Sequence, residues 1–337
     1  MKILYDPDPR TTEDIFSSTD RERFFSENEV AVYDGGNRES FYAAHLPLAE
    51  VLVSQQPMDR ALLDSAPHLR AIFNVETNFL PNIDYPVCLS RGIHVLAPSS
   101  VFAEPVAEIG LGLALSLARD IHSAHNAFLN GHEKYGLESN VGSELLSRSD
   151  IGFIGFGDLG RALMRLLAGF RPSVKVYDPW LPDGYLRRAG VIPASLEEVL
   201  SGSRLVFVVA GITTENRHLI DGSKLDLMQS GAMLVLLSRA AIVDFKALRE
   251  FASLGKIRVA TDVFPEEPVA ADDLLRSTPN ILFSSHRAGA LPQTRRQIGA
   301  LVLEDLDQLS KGLAPVSCKR AELETVSRMR SKPIEKT

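Results

Sequence analysis

Short β-type runs alternate with helical patterns along almost the whole chain, and this constrains the fold more than anything else: it is how a layered α/β protein with parallel sheets reads. Two series are visible. In the first, Lys2 to Tyr5, Val30 to Tyr33, Val51 to Ser54, Ala71 to Val75 and Ile93 to Leu96 read as strands, with helical segments such as Thr12 to Glu27 and Asp59 to Ser65 between them. They predict a small flavodoxin-like α/β unit of about a hundred residues. The second series follows Ala97-Pro98-Ser99-Ser100. Its strands are Ile151 to Ile154, Val174 to Tyr177, Leu205 to Val209, Met233 to Leu237, Arg258 to Thr261 and Ile281 to Ser284, and six strands with helices between them predict a doubly wound sheet.

A helix from Phe102 to Asn130 opens this second unit. Its stretch at 108 to 118 is apolar nearly all round, which predicts a helix covered on more than one side, in a core or against a second subunit. The most apolar part, Ile109 to Ala118, is shorter than the ~20 residues a bilayer requires. The last helix, Pro292 to Lys311, is expected to leave the second unit and return to the first. The expected organisation is a substrate domain of 1–98 plus 291–314, a cofactor domain of 99–290 inserted into it, and a polar, solvated tail over 315–337.

The bulk charge excludes one class of partner. With 36 Lys+Arg against 43 Asp+Glu the net charge is −7, which disfavours nucleic acid and other polyanions. Cys88 and Cys318 are the only cysteines and show no CxxC spacing, so neither a disulfide framework nor structural zinc is expected. The apolar start Ile3-Leu4-Tyr5 is broken by Asp6 and two prolines before a leader core could form, and a cytoplasmic protein that does not engage membranes is the expectation. His122, His125 and His132 have no further ligand nearby, so no metal site is expected. GxSxG, Walker A and HExxH strings are absent, which removes the commonest hydrolase and NTPase readings.

The strongest motif is Gly155-Phe156-Gly157-Asp158-Leu159-Gly160, set between a strand and a helix. Glycines there allow a tight turn, close backbone approach to a pyrophosphate and tight helix–strand packing. A second strand ends at Asp178, 18 residues beyond Gly160. A carboxylate in that place accepts ribose hydroxyls and repels a 2′-phosphate, so NAD is favoured over NADP. Arg239, Glu267 and His286 follow three successive strands of the same predicted sheet, at the edge where such sheets bind ligands. Singly each has a bland surface reading. Jointly they offer a proton donor, a carboxylate to hold its imidazolium and a guanidinium fork for a carboxylate, as hydride transfer on a keto acid requires.

These residues resemble the D-isomer-specific 2-hydroxyacid dehydrogenases, the group containing phosphoglycerate, glyoxylate/hydroxypyruvate and formate dehydrogenases. The resemblance runs from about Val51 to Gly312 and is densest at 155–160, 176–180, 238–244, 261–268 and 285–289. It implies an NAD-dependent enzyme interconverting a 2-keto acid and its D-2-hydroxy acid, with His286 as acid/base, Glu267 as its partner and Arg239 as substrate anchor. It implies further that Asp158, Leu159 and Asp178 grip the phosphates and ribose, that Ala210, Gly211, Asn216 and Ser238 line the cofactor, that Asp262 holds the nicotinamide carboxamide, and that Thr77 and Asn78 meet the substrate. A homodimer through the cofactor domains is implied as well. Thr77 and Phe79 stand where the family carries glycines, so bulk from Phe79 and charge from Glu76 would reshape the carboxylate cradle. Two other readings follow: an NAD(H)-sensing regulator like the C-terminal-binding-protein corepressors, which keep the same trio, or a reductase for substrates lacking a carboxylate.

Overall fold

Strands covered on both faces need unbroken apolar runs. The strands Leu205–Val208 and Ala232–Leu236 are such runs, Val51–Ser54 is apolar up to its final serine, and every residue in the three is buried. The computed structural model describes residues 1–75 and 78–329. Two units emerge: one combines Met1–Val101 with the chain from Ala290 onward, and the other is Phe102–Gly289.

In the first unit β1 (Lys2–Asp6), β2 (Glu29–Val32), β3 (Val51–Ser54), β4 (Ala71–Phe73) and β5 (His94–Ala97) are all parallel, in the order 2-1-3-4-5. The order reverses between β1 and β3, as in a flavodoxin-like sheet. The second unit holds β6 (Asp150–Ile154), β7 (Ser173–Tyr177), β8 (Ile192–Pro193), β9 (Leu205–Val208), β10 (Ala232–Leu236), β11 (Ile257–Thr261) and β12 (Ile281–Phe283). They are again parallel, in the order 8-7-6-9-10-11-12, so the switch point lies between β6 and β9. Alternate residues serve opposite faces: Phe153, Phe207 and Val235 join one apolar cluster, while Ile154, Val206 and Leu234 join the other. Two Rossmann-like α/β units, the second inserted into the first, are what the alternation predicted.

Several details differ from expectation. The second sheet has seven strands rather than six, because the two-residue β8 is too short to show a pattern. The expected helix Thr12 to Glu27 is two, Thr12–Ile15 and Ser18–Glu27, the latter capped by the Ser17 hydroxyl accepting from the Asp20 N–H. The helix expected over 102–130 breaks at Asp120, whose φ of 53° lies in the left-handed region. Its continuous helical stretch, Ser99–Arg119, is 21 residues long and by length and composition could cross a bilayer, longer than the apolar segment read from the sequence. Ala107, Gly110, Ala114 and Leu117 instead pack into the core of the second unit, as in a soluble domain.

The residues after Pro315 are not a free tail as far as they are described. The buried carboxylate of Asp305 accepts the N–H groups of Val316, Ser317 and Cys318, at 2.7, 2.8 and 2.8 Å. That clasp delivers β13 (Lys319–Arg320) antiparallel onto β5, and Ala321 sinks into the first unit's core. Residues 330–337 of the expected tail lie outside the described residues.

Candidate active site

The glycine loop sits at the switch point of the second sheet, and its three glycines answer to different demands. Gly155 has φ of +89°, and a Cβ there would stand 2.6 Å from the Ala210 Cα at the end of the adjacent β9. Gly160 is a close approach, its Cβ position 3.2 Å from the Gly155 carbonyl. Gly157, the N-cap of the helix Asp158–Leu167, has nothing within 4 Å of its Cβ position and no side chain caps the helix. Open space over uncapped N–H groups at a positive helix end suits a pyrophosphate.

At the end of β7, Asp178 is fixed from two sides. Its Oδ2 accepts the Phe156 N–H at 2.8 Å and its Oδ1 accepts the Trp180 N–H at 2.9 Å. A carboxylate has about four acceptor positions, so two remain for a ribose diol. Asn216 folds its own loop, accepting from the Thr213 N–H at 2.8 Å and donating to the Gly211 carbonyl at 2.7 Å. Ser238 is buried and donates to the Val208 carbonyl. Leu159 is half-buried against the core, and Asp158 is ion-paired to Arg161. The donors and acceptors present therefore fit a dinucleotide.

The structure brings Glu267 and His286 together. His286 Nδ1 lies 2.5 Å from Glu267 Oε2, and Glu267 Oε1 accepts the Phe264 N–H at 2.9 Å, so the carboxylate is held while it holds the imidazole. The imidazole stays about half exposed. His286 adopts φ of 49°, a conformation that costs a β-carbon-bearing residue on the order of 1 kcal/mol and is tolerated where position matters. Arg239, after β10, makes one hydrogen bond among the described residues, Nη1 to the Ser238 carbonyl at 2.7 Å. Burial pushes its pKa below the ordinary guanidinium value, and the neighbouring Glu267 charge partly restores it. Most of its fork is thus free for an anion.

The sequence pattern of the D-isomer specific 2-hydroxyacid dehydrogenase NAD binding domain matches residues 111–288. A glyoxylate reductase of Korarchaeum cryptofilum is 30% identical over 278 residues, 82% of this chain and 83% of that one. The chain belongs to the D-isomer-specific 2-hydroxyacid dehydrogenases. Its cofactor, like the family's, is NAD. A D-3-phosphoglycerate dehydrogenase of Methanocaldococcus jannaschii is 28% identical over 268 residues, 78% of this chain but half of that longer protein. Among solved structures, a phosphoglycerate oxidoreductase from Rhizobium etli superposes with a TM-score of 0.89 at 45% identity, covering 95% of this chain and 98% of its own.

Two residues make contacts beyond those assigned from the motifs. Asp262, almost wholly buried, accepts Ser284 Oγ at 2.5 Å and the N–H groups of Arg287 and Ala288, each at 3.1 Å. It ties down the loop that carries His286, a contact across 22 to 26 positions that no local pattern reveals. Arg161, at i,i+3 from Asp158, pairs with it across the first turn of the helix.

In the first unit Phe79 is buried in that unit's core, edge-on to Tyr85 with ring centroids 6.4 Å apart. Its bulk is absorbed because an aromatic ring gains more from apolar neighbours than from a polar loop. Asn78 is half-buried on the loop after β4, and Glu76 and Thr77 lie outside the described residues.

Proposed function

We propose that this dehydrogenase interconverts a small 2-keto acid and its D-2-hydroxy acid, with His286 as the acid/base and Arg239 as the carboxylate anchor. The 2.5 Å contact of His286 with Glu267 carries the reading. With Nδ1 turned to Glu267, Nε2 is the nitrogen left to give a proton to the substrate oxygen or take one from it. Glu267, itself pinned by the Phe264 N–H, stabilises the imidazolium that exists between those steps. Arg239 offers a fork with donors to spare for a carboxylate and the adjacent carbonyl oxygen. When bound, NAD would serve as the hydride donor or acceptor for the substrate carbon. Asp178 and the glycine loop would hold the dinucleotide.

Relatives named glyoxylate reductase and D-3-phosphoglycerate dehydrogenase support a substrate in that chemical class. The test is a panel of 2-keto acids, starting from glyoxylate, with NADH and absorbance at the nicotinamide band. Oxidation of NADH by at least one is expected. Tight NADH binding without turnover on any of them would favour a sensor, and turnover only with uncharged carbonyls would favour a carboxylate-independent reductase.

We infer also a homodimer through the cofactor-binding unit. Ile121, Phe128, Leu129, Tyr135, Leu137 and Leu145 are all at least half exposed within one short excursion, a concentration unusual for a free surface. Light scattering should return twice the chain mass, and a monomer would overturn it. Cys88 and Cys318 are free buried thiols, which supports a reducing, cytoplasmic setting; recovery of the protein from an oxidising compartment would overturn that.

A further inference from the structure

The mouth of the glycine loop carries charge of the wrong sign for its ligand. Asp158 is the first residue of the Asp158–Leu167 helix, and the Asp178 carboxylate is bonded to the N–H of Phe156 on the same loop. With Asp178 answering the ribose, the Asp158 carboxylate at the helix start works against the positive helix end unless a cation offsets it. Arg161, one turn along and on the same helix face, puts Nη2 2.5 Å from Asp158 Oδ1. Its Nη1 makes only long approaches, 3.4 Å to the Phe156 carbonyl and 3.3 Å to the Tyr185 hydroxyl. The guanidinium is therefore held firmly at one point and has donor capacity left.

This pair does little for folding. The two side chains are 38% and 37% exposed, and solvated pairs at this spacing contribute only a few tenths of a kcal/mol. Its placement at the uncapped helix end is what distinguishes it.

We propose that Arg161 is the side-chain anchor for the cofactor's phosphates in this chain, and that Asp158 is a positioning residue that holds the guanidinium over the loop. Asp158 then does not grip phosphate through its own side chain. A planar guanidinium can keep one edge on a carboxylate while another N–H reaches a phosphate oxygen. The proposal rests on NAD occupying this loop.

The experiment is a fluorescence titration of the intact protein with NADH, and with adenosine, which lacks phosphate, by competition. It compares wild type, R161M, R161K and the double variant D158N/R161M, with thermal midpoints as a folding check. R161M should raise the NADH Kd about tenfold or more, the scale of a lost charge-assisted hydrogen bond, while leaving adenosine within about twofold. R161K should recover part of the loss, and the salt dependence of NADH binding should weaken in R161M. The double variant should stay at least about fivefold weaker than wild type. Recovery of the double variant to wild-type affinity would overturn the proposal, since Arg161 would then only cancel Asp158. An unchanged Kd in R161M would overturn it too. Failure of the wild type to bind NADH would instead remove the dinucleotide reading beneath it.

Discussion

The two sheets present their C-terminal edges very differently. In the second unit that edge is Gly155 to Gly160, Asp178, Arg239, Glu267 and His286, with space over Gly157 and unused donors on Arg239. In the first unit the ends of β1 and β3 are closed by the chain itself. Asp6, fully buried, accepts from Arg38 Nε at 2.8 Å and from the Tyr42 hydroxyl at 3.2 Å, and Tyr42 also meets Ser54 Oγ at 3.1 Å. Gln55 and Gln56 both donate to the Asp8 carbonyl. Architecture of the same type thus leaves donors open over the glycine loop and Arg239 in one place, while at β1 the edge is sealed by the chain's own Arg38 and Tyr42. Beyond β3, Gln55 Oε1 and Asn82 Oδ1 stay buried without a partner among the described residues. The same sheet type can therefore carry very different groups at its strand ends.

The largest effect should come from His286. H286A is expected to lower turnover about 10²–10⁴-fold while NADH affinity, read by fluorescence, stays within about twofold. Undiminished turnover would erase the contrast between the two edges. R38M probes the sealed edge: it strands the buried Asp6 carboxylate and should cost about 2–4 kcal/mol in urea unfolding, somewhat below a fully buried pair because Arg38 is 35% exposed. NADH affinity should not change, and if it falls while stability holds, the first unit's charges are not structural.

The smallest effect belongs to the opposite edge of the second sheet. There Glu144 pairs with Arg204 and with Arg258, the latter at 2.7 Å. The Arg204 hydrogen bond, with charge from both arginines, holds the Glu144 carboxyl below its ordinary value of 4.5 against the opposing effect of burial. The folded state therefore binds fewer protons than the unfolded state in that window. Stability from Glu144 is present above about 4.5 and lost as pH falls through the folded value. E144Q should flatten the pH dependence of unfolding below pH ~5 by ~1 kcal/mol or less. An unaltered slope would mean that this edge, unlike the other, is electrostatically idle.

What was legible in the sequence was local, and what was not was tertiary, in both units. Glycines at fixed offsets, Asp178 after a strand and the runs at 205–208 and 232–236 are local signals, and each keeps its place in the fold. Glu267 and His286 could be paired in advance because both follow strands that are neighbours in a parallel sheet. The helix break at Asp120 escaped notice because a left-handed aspartate has no required sequence partner. Burial of Phe79 and the grip of Asp262 on the His286 loop are tertiary facts: the same letters would serve equally in an exposed loop.

The Asp305 clasp has a consequence for synthesis. A ribosome synthesises residues 102–289, the whole second unit, before it makes any of the chain from 290 onward. β5 gains its outer neighbour only when Lys319 and Arg320 arrive, and the carboxylate that guides them lies on a helix also made late. Throughout that interval the nascent first unit carries an open strand edge, the kind of surface on which chains aggregate. The last described strand of the protein is thus its closing stitch, and a chain cut short at 315 would keep every residue of the glycine loop and the Arg239–Glu267–His286 trio yet leave an unprotected seam.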